Sequence, residues 1–335
     1  MVGSKDKLQF NMKKIFLLMM LLATVFVACS DDDEKDNNLP EEPTETIDYW
    51  YITMNVDIRS NDQDISITCA QADSIRWGNA GNEFIKANFW NTSQTTLRAP
   101  LYDLGNYTIT IKGHEPITKF GCKSIPNYGD EIPDAVITSF DISAPDSIKE
   151  IEVYNTKITT VDLKKYPALS SVSIRLSHKI ETIDVSNCQK LEELWCFDNQ
   201  ELITLNASNC IELKELLCYN NQLTSLNVSN CAGLKELSCY HNRLTSLDLS
   251  GCPKLESLEC AHNQLTSLDI SKCTELKELL CHKNLFNNDT MNAIYNSLPD
   301  RTGKEAGRIS FSQGDAKGDI SIAKNKNWKI ETGFN

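Results

Sequence analysis

The stretch Leu234-Lys235-Glu236-Leu237-Ser238-Cys239-Tyr240-His241-Asn242-Arg243-Leu244 decides the reading of the chain, because its spacing recurs on either side. With Leu234 as position one, Leu or Ile stands at position one, Leu or Ile (Val172 in one unit) at position four and an apolar residue or Cys at six. In five of the units Asn stands at nine. Such units start at Ile148, Leu169, Leu191, Leu213, Leu234, Leu255 and Leu276, at steps of 21, 22, 22, 21, 21 and 21 residues. The extra residue of the two longer steps falls just before position eleven, in a loop, so the strand register is kept. A partial unit at 117–122 precedes the array, with residues 123–136 inserted. Self-similarity at this period means a stack of short parallel strands, each unable to bury its apolar edge until a neighbour packs on it.

The same stretch closely resembles the leucine-rich repeat consensus. That resemblance implies a β-rich fold: a leucine-rich repeat solenoid of short parallel strands over residues 117–286, whose positions three, five and seven face a concave surface used for binding. Column three is Glu150, Ser171, Glu193, Glu215, Glu236, Ser257 and Glu278. Column seven is Tyr154, Arg175, Phe197, Tyr219, Tyr240, Ala261 and His282, and column five adds Trp195 and Leu217. The expected ligand-binding set is therefore an aromatic patch (Tyr154, Trp195, Phe197, Leu217, Tyr219, Tyr240) beside an acidic rail (Glu193, Glu215, Glu236). Grouped exposed aromatics mark binding surfaces, although rings packing across strands also stabilise a sheet. Lys214, Lys235 and Lys277 are read as solvated partners of the rail.

Three further columns are structural in this reading. Asn199, Asn221, Asn242, Asn263 and Asn284 offer amides to backbone groups at the turn leaving each strand. Ten of the thirteen cysteines form two columns, Cys196, Cys218, Cys239, Cys260 and Cys281, and Cys188, Cys210, Cys231, Cys252 and Cys273. Val153 and Ile174 occupy the first of these columns in other units, so the thiols read as core filler. Disulfides between rungs stay open, since the rung spacing of about 5 Å lies within the permitted Cα separation. Zinc needs four convergent ligands, and a column presents one per rung.

At the N-terminus, a basic Met12-Lys13-Lys14 and an apolar run from Ile15 to Ala28 read as a signal peptide over residues 1–28 with its start at Met12. The run is too short for the roughly 20 residues of a spanning helix. Phe26-Val27-Ala28-Cys29 resembles a bacterial lipoprotein box, and Ser30-Asp31-Asp32-Asp33-Glu34 resembles the export signal of Bacteroidota surface lipoproteins. This implies a lipid on Cys29 and a body anchored at the outer membrane and facing outward; several acyl chains on one residue hold stably where one does not. Residues 29–46 are an acidic tether with too little apolar surface to fold.

Residues 47–114 carry short alternating runs, among them Tyr51-Ile52-Thr53-Met54-Asn55-Val56 and Tyr107-Thr108-Ile109-Thr110-Ile111. Ser74-Ile75-Arg76-Trp77-Gly78-Asn79 and Leu104-Gly105-Asn106-Tyr107-Thr108-Ile109 resemble PKD-like immunoglobulin-type modules, which implies a small β-sandwich. Residues 287–335 resemble the C-terminal cap of Bacteroidota leucine-rich repeat proteins: a capped helix from Asn288 ending before Pro299, a strand from Gly307 to Ser312, and a closing helix from Asp319 to Trp328.

Charge narrows the partners. The chain has 33 Lys and Arg against 46 Asp and Glu, net −13; without residues 1–28 (four Lys, one Asp) the balance is 29 against 45, or −16. Nucleic-acid binding needs clustered cations to displace counterions and is not expected. The carboxylates of the rail have the spacing of a retaining glycosidase pair, but a row of equivalent Glu has nothing to push one pKa from another. His241, His262 and His282 follow the Cys column, and strand alternation puts Cys inside and His at the surface. No phosphate loop, dinucleotide fingerprint or Gly-x-Ser-x-Gly element occurs. The chain therefore reads as a non-enzymatic protein without cofactor or metal, touching membrane only through its lipid and binding an extracellular protein or peptide. The alternative is a glycan-binding accessory of a polysaccharide-uptake system, with the aromatic patch stacking on sugars.

Overall fold

The computed structural model describes residues 49–58, 63–69, 74–77, 85–86, 96–101, 105–113, 117–125, 137–143, 145–312 and 314–334. The chain divides into residues 1–46 and 47–335, and every described residue lies in the second unit. The signal segment, Cys29 and the acidic tether lie outside the described residues.

Ahead of the repeats are β1 (Trp50–Ile58), β2 (Gln63–Cys69), β3 (Ser74–Trp77), β4 (Ile85–Lys86), β5 (Thr96–Leu101), β6 (Gly105–Gly113), β7 (Lys119–Ile125) and β8 (Ile137–Ile142). The repeats add β9 (Glu150–Tyr154), β10 (Ser171–Arg175), β11 (Thr182–Asp184), β12 (Glu193–Trp195), β13 (Thr204–Asn206), β14 (Glu215–Leu217), β15 (Ser225–Asn227), β16 (Glu236–Ser238), β17 (Ser257–Glu259) and β18 (Glu278–Leu280). After them come a helix (Asn288–Ser297), β19 (Gly307–Ser312), a second helix (Ile320–Asn325) and β20 (Trp328–Phe334).

Each rung follows from its sequence. Positions one, four and six point inward, and Leu213, Leu216 and Cys218 are fully buried. Alternation then turns positions three, five and seven to the open face, and successive rungs pair in parallel with like positions in register, Leu194↔Leu216↔Leu237↔Leu258↔Leu279. Position eight must turn the chain, and its backbone is left-handed in Asp198 (φ 59°), Asn220 (φ 53°), His241 (φ 51°), His262 (φ 53°) and Lys283 (φ 55°). Asn and Asp tolerate that region better than most residues.

The Asn column closes the turn. Asn221 donates from Nδ2 to the carbonyls of Cys196 and Cys218, both at 2.8 Å, and its Oδ1 accepts from the Asn199 N–H at 2.7 Å. Asn199, Asn242, Asn263 and Asn284 each bridge two rungs in the same way. The twelve described cysteines are buried free thiols. Four of the second column also serve the backbone, Cys188, Cys210, Cys231 and Cys252; Cys210 and Cys231 donate to the carbonyls of Val185 and Ala207 on the preceding rung, each at 3.1 Å.

The boundary drawn near residue 115 is not a break in the sheet. β7 pairs in parallel with β9 on one side and antiparallel with β2 on the other, so one twelve-stranded sheet runs β20-β19-β18-β17-β16-β14-β12-β10-β9-β7-β2-β5. A second sheet, β4-β3-β6-β1-β8, packs its apolar side against it through residues such as Ile52, Met54, Ile109 and Phe140, whose ring lies 4.8 Å from that of Phe120. A third, β11-β13-β15, pairs in parallel the later parts of three successive rungs.

Two details differ from the sequence reading. β7 extends to Ile125, so residues 123–125 belong to a strand and not to the insertion. The closing helix stops at Asn325 and Trp328 begins a strand, because Asn327 adopts φ 62° and redirects the chain. Trp328 then packs over Gly307 with its Nε1 donating to the Pro299 carbonyl at 2.9 Å. The first cap helix has Asn287 as N-cap, its side chain accepting from the Thr290 N–H.

Candidate functional site

The open face of the long sheet carries the three columns read from the sequence. Column three is in direct register, Ser171↔Glu193↔Glu215↔Glu236↔Ser257↔Glu278↔Arg308, and column five follows as Ser173↔Trp195↔Leu217↔Ser238↔Glu259↔Leu280↔Ser310. All nine residues expected at the site lie on this face. Tyr154, Glu193, Trp195, Phe197, Glu215, Leu217, Tyr219 and Tyr240 are half-buried, and Glu236 is exposed.

The aromatic residues form a column and not a platform. Phe197 stacks on Tyr219 (centroids 4.5 Å, planes 10° apart) and Tyr219 on Tyr240 (4.7 Å, 8°). The Arg175 guanidinium lies 5.4 Å from the Phe197 ring centre and 5.7 Å from that of Tyr154. Ring faces are thus occupied by one another, leaving the row to present mainly edges and the tyrosine hydroxyls. Trp195 stands apart, its Nε1 donating to Glu215 Oε1 at 2.8 Å.

The acidic rail is less neutralised than the sequence suggested. Lys214 pairs with Glu192, and Lys235 and Lys277 with Glu256, all at position two of their rungs. They do not serve the rail, because a position-two side chain projects to the opposite side of the strand from position three. Among the described residues, Glu193, Glu215, Glu236 and Glu259 have no cationic partner. Glu193 accepts from Ser171 Oγ (3.3 Å) and Glu259 from Ser238 Oγ (2.8 Å), while Glu278 at the far end pairs with Arg308. Burial first, and then the charges of Glu215, Glu259 and Glu278, raise the Glu236 carboxyl above its ordinary value.

A feature the sequence did not give is a cleft of about 290 Å³ across β7, β9, β10 and β12. Glu150, Glu152 and Glu193 line it with Lys119 and Arg175; Ser171, Ser173 and Trp195 complete its walls. Lys119 is bonded to Glu150 at 2.8 Å and Arg175 to Glu152 at 3.4 Å. Columns three and five at the first rungs held the signal, but it became legible only when β7 took its place beside β9.

The histidines are not all surface groups. His241 is exposed and stacks on His262 at 4.0 Å, whereas His282 is only 9% exposed and its Nδ1 lies 3.0 Å from Ser310 Oγ. His282 is at position seven, but the cap strand β19 covers it, which overturns its reading as a surface residue. The column cysteines are unsuited to nucleophilic chemistry: burial pushes Cys210 up to about 12 and Cys231 up to about 11. Among the described residues no group of three His, Cys, Asp or Glu could hold a metal ion, and no helix is long and apolar enough to cross a membrane.

Stacked parallel rungs with an amide ladder, a thiol-filled core and one open sheet face make a leucine-rich repeat solenoid. The family model described as Leucine Rich repeats (2 copies) matches residues 233–272. Among solved structures the chain is similar to the functional domain of InlJ from Listeria monocytogenes, which includes a cysteine ladder (20% identity over 56% of this chain and 54% of that one, TM-score 0.31). It is also similar to a leucine-rich repeat protein of Leptospira interrogans (16%, 55% and 55%, 0.40) and to an internalin, inlF, from Listeria monocytogenes (15%, 56% and 62%, 0.39). The chain thus spans little more than half the length of these structures. No curated protein matches.

Proposed function

We propose that this is a surface lipoprotein, anchored to the outer membrane through Cys29, which binds an extracellular protein or peptide on the open face of its repeats. The observation that carries the binding reading is the run of Glu193, Glu215, Glu236 and Glu259, four carboxylates on adjacent rungs without cationic partners, beside a wall of aromatic edges. Rungs about 4.8 Å apart hold these like charges close together, and a ligand that brings Lys or Arg relieves their repulsion. An extended basic segment lying across the rungs is the partner this surface suits, with tyrosine hydroxyls and ring edges contacting its side chains.

The test is binding of an oligolysine peptide and an array of extracellular proteins to the purified full chain. Affinity should fall steeply as salt screens exposed charges and fall again in a Glu215→Gln, Glu236→Gln variant, in which the Trp195 hydrogen bond is kept. Salt-independent binding, or binding equal in the variant, would refute the acidic face as the site. For the anchor, Cys29→Ser should abolish lipid incorporation and move the protein from the membrane to the soluble fraction; an unchanged distribution would refute it.

A further inference from the structure

The cleft between β7 and β12 differs chemically from the acidic run beside it. Of its three carboxylates, Glu150 and Glu152 are paired with Lys119 and Arg175, while Glu193, shared with the acidic run, accepts from Ser171 Oγ, so both cationic and anionic groups line the cleft with a net charge of only −1. Two polar atoms in its walls are unsatisfied: Ser173 Oγ, on a residue only 7% exposed, and Arg175 Nε. Unpaired buried donors of this kind are uncommon and costly in a folded chain. The contact nearest them, Arg175 to Glu152, is long at 3.4 Å and yields readily. Trp195 forms an apolar wall, and the bond from its Nε1 to Glu215 fixes the ring from outside the cleft.

A cationic side chain would meet Lys119 and Arg175, and an anion would meet Glu150, Glu152 and Glu193. A neutral ring that carries hydroxyls meets neither objection, since each hydroxyl both donates to a carboxylate and accepts from an ammonium, guanidinium or serine. We propose that the cleft is a saccharide subsite that takes one pyranose ring of a neutral glycan. Hydroxyls of that ring bridge the Lys119–Glu150 and Arg175–Glu152 pairs and reach Ser173, and its apolar flank lies against Trp195. The volume, about 290 Å³, is at the small end of ligand pockets and suits a single sugar ring. Unlike sugar stacking on the aromatic column, this site uses no face of Phe197, Tyr219 or Tyr240, and it goes beyond the protein-binding reading.

The experiment is an array of neutral oligosaccharides (glucans, mannans, galactans and xylans) probed with the full chain, followed by titration of any bound oligosaccharide up to about 10 mM. A neutral glycan should bind with an affinity that changes less than about twofold when salt is raised to about 0.5 M. Binding should weaken at least about tenfold in Trp195→Ala and, separately, in Glu152→Gln, which alters no buried apolar contact. Folding of both variants is checked by thermal melting. Glu236→Gln, on the acidic run, should leave glycan binding unchanged while weakening oligolysine, so the two sites can fail separately. No bound neutral glycan, or undiminished binding in both folded variants, would each overturn the proposal.

Discussion

Cys231 donates its thiol to the Ala207 carbonyl of the preceding rung across 3.1 Å, whereas Cys218, at position six, makes no hydrogen bond through its sulfur. The two cysteine columns, alike in sequence, therefore differ in physics: one fills space, and in the other Cys188, Cys210, Cys231 and Cys252 also satisfy the backbone where the rung turns. Serine is a donor of similar shape, so Cys231→Ser should cost roughly 1 kcal/mol or less. Cys218→Ser buries a hydroxyl among apolar side chains and should cost about 1–3 kcal/mol. Urea unfolding of the two variants checks the order; equal losses would mean that the thiol–carbonyl contact contributes nothing.

The amide ladder gives a larger effect. Asn221→Ala removes two donated bonds to the Cys196 and Cys218 carbonyls, which each keep one amide donor from Asn199 and Asn242, and leaves the buried Asn199 N–H without its acceptor. A loss of about 2–3 kcal/mol is expected. Asn284→Ala, at the last rung and half-buried, should lose less. Thermal melting of both variants tests the ranking.

The histidine row makes stability pH-dependent. Burial first, then the neighbouring His241 and His282, with Lys283, hold the His262 imidazole below its ordinary value of 6.5 against the opposing pull of Asp315. Burial likewise lowers His282. A folded value below the unfolded one means that the unfolded chain takes up the proton first as the pH falls. The stabilisation is therefore full above 6.5 and is lost as the pH drops from there through the folded value. His262→Asn, which suits the left-handed backbone at that position, should flatten the decline in Tm between about pH 7 and pH 5. An unchanged slope would place the titration elsewhere.

The sequence carried the solenoid because Leu234, Leu237 and Cys239 recur at a fixed step, and that period leaves few other ways to bury them. It also placed all nine expected binding residues on one face, since position in a strand dictates the face. Contacts between columns were not legible. The lysines at 214, 235 and 277 are next to the rail in sequence, yet pleating sends them to Glu192 and Glu256. Burial of His282 depended on a cap strand 28 residues later, and the cleft depended on β7, which sits in an atypical unit interrupted by an insertion. In each case a partner distant in sequence sets the environment.

The packing of Trp328 against Gly307 tests whether the cap seals the array. A Cβ built on Gly307 would lie 2.5 Å from the Trp328 ring, which is itself 2% exposed and tied to Pro299. Gly307→Ala should force the indole outward and cost about 1–3 kcal/mol, with amide exchange quickening first in β19, β20 and the last rung, since repeat arrays open from an end whose cap is weakened. Exchange confined to residues 307 and 328, with the rung at Leu279 still fully protected, would show that the last rung stands without its cap.

The unpaired carboxylates predict a trade between stability and binding. Glu236 has its folded value raised, so its ionisation opposes folding. That stability is fully present below its ordinary value of 4.5 and is lost as the pH rises through the higher folded value. Glu236→Gln should therefore raise Tm at neutral pH by about 1 °C and leave it unchanged at acid pH, where the native carboxyl is already neutral. If the open face binds a basic segment, the same substitution must weaken that binding, with most of the loss removed at high salt. A carboxylate kept only for the fold would do the opposite, lowering Tm on substitution and leaving affinity alone. Melting curves at two pH values beside oligolysine titrations separate the two, and a variant less stable at neutral pH would end the case for Glu236 as a binding residue.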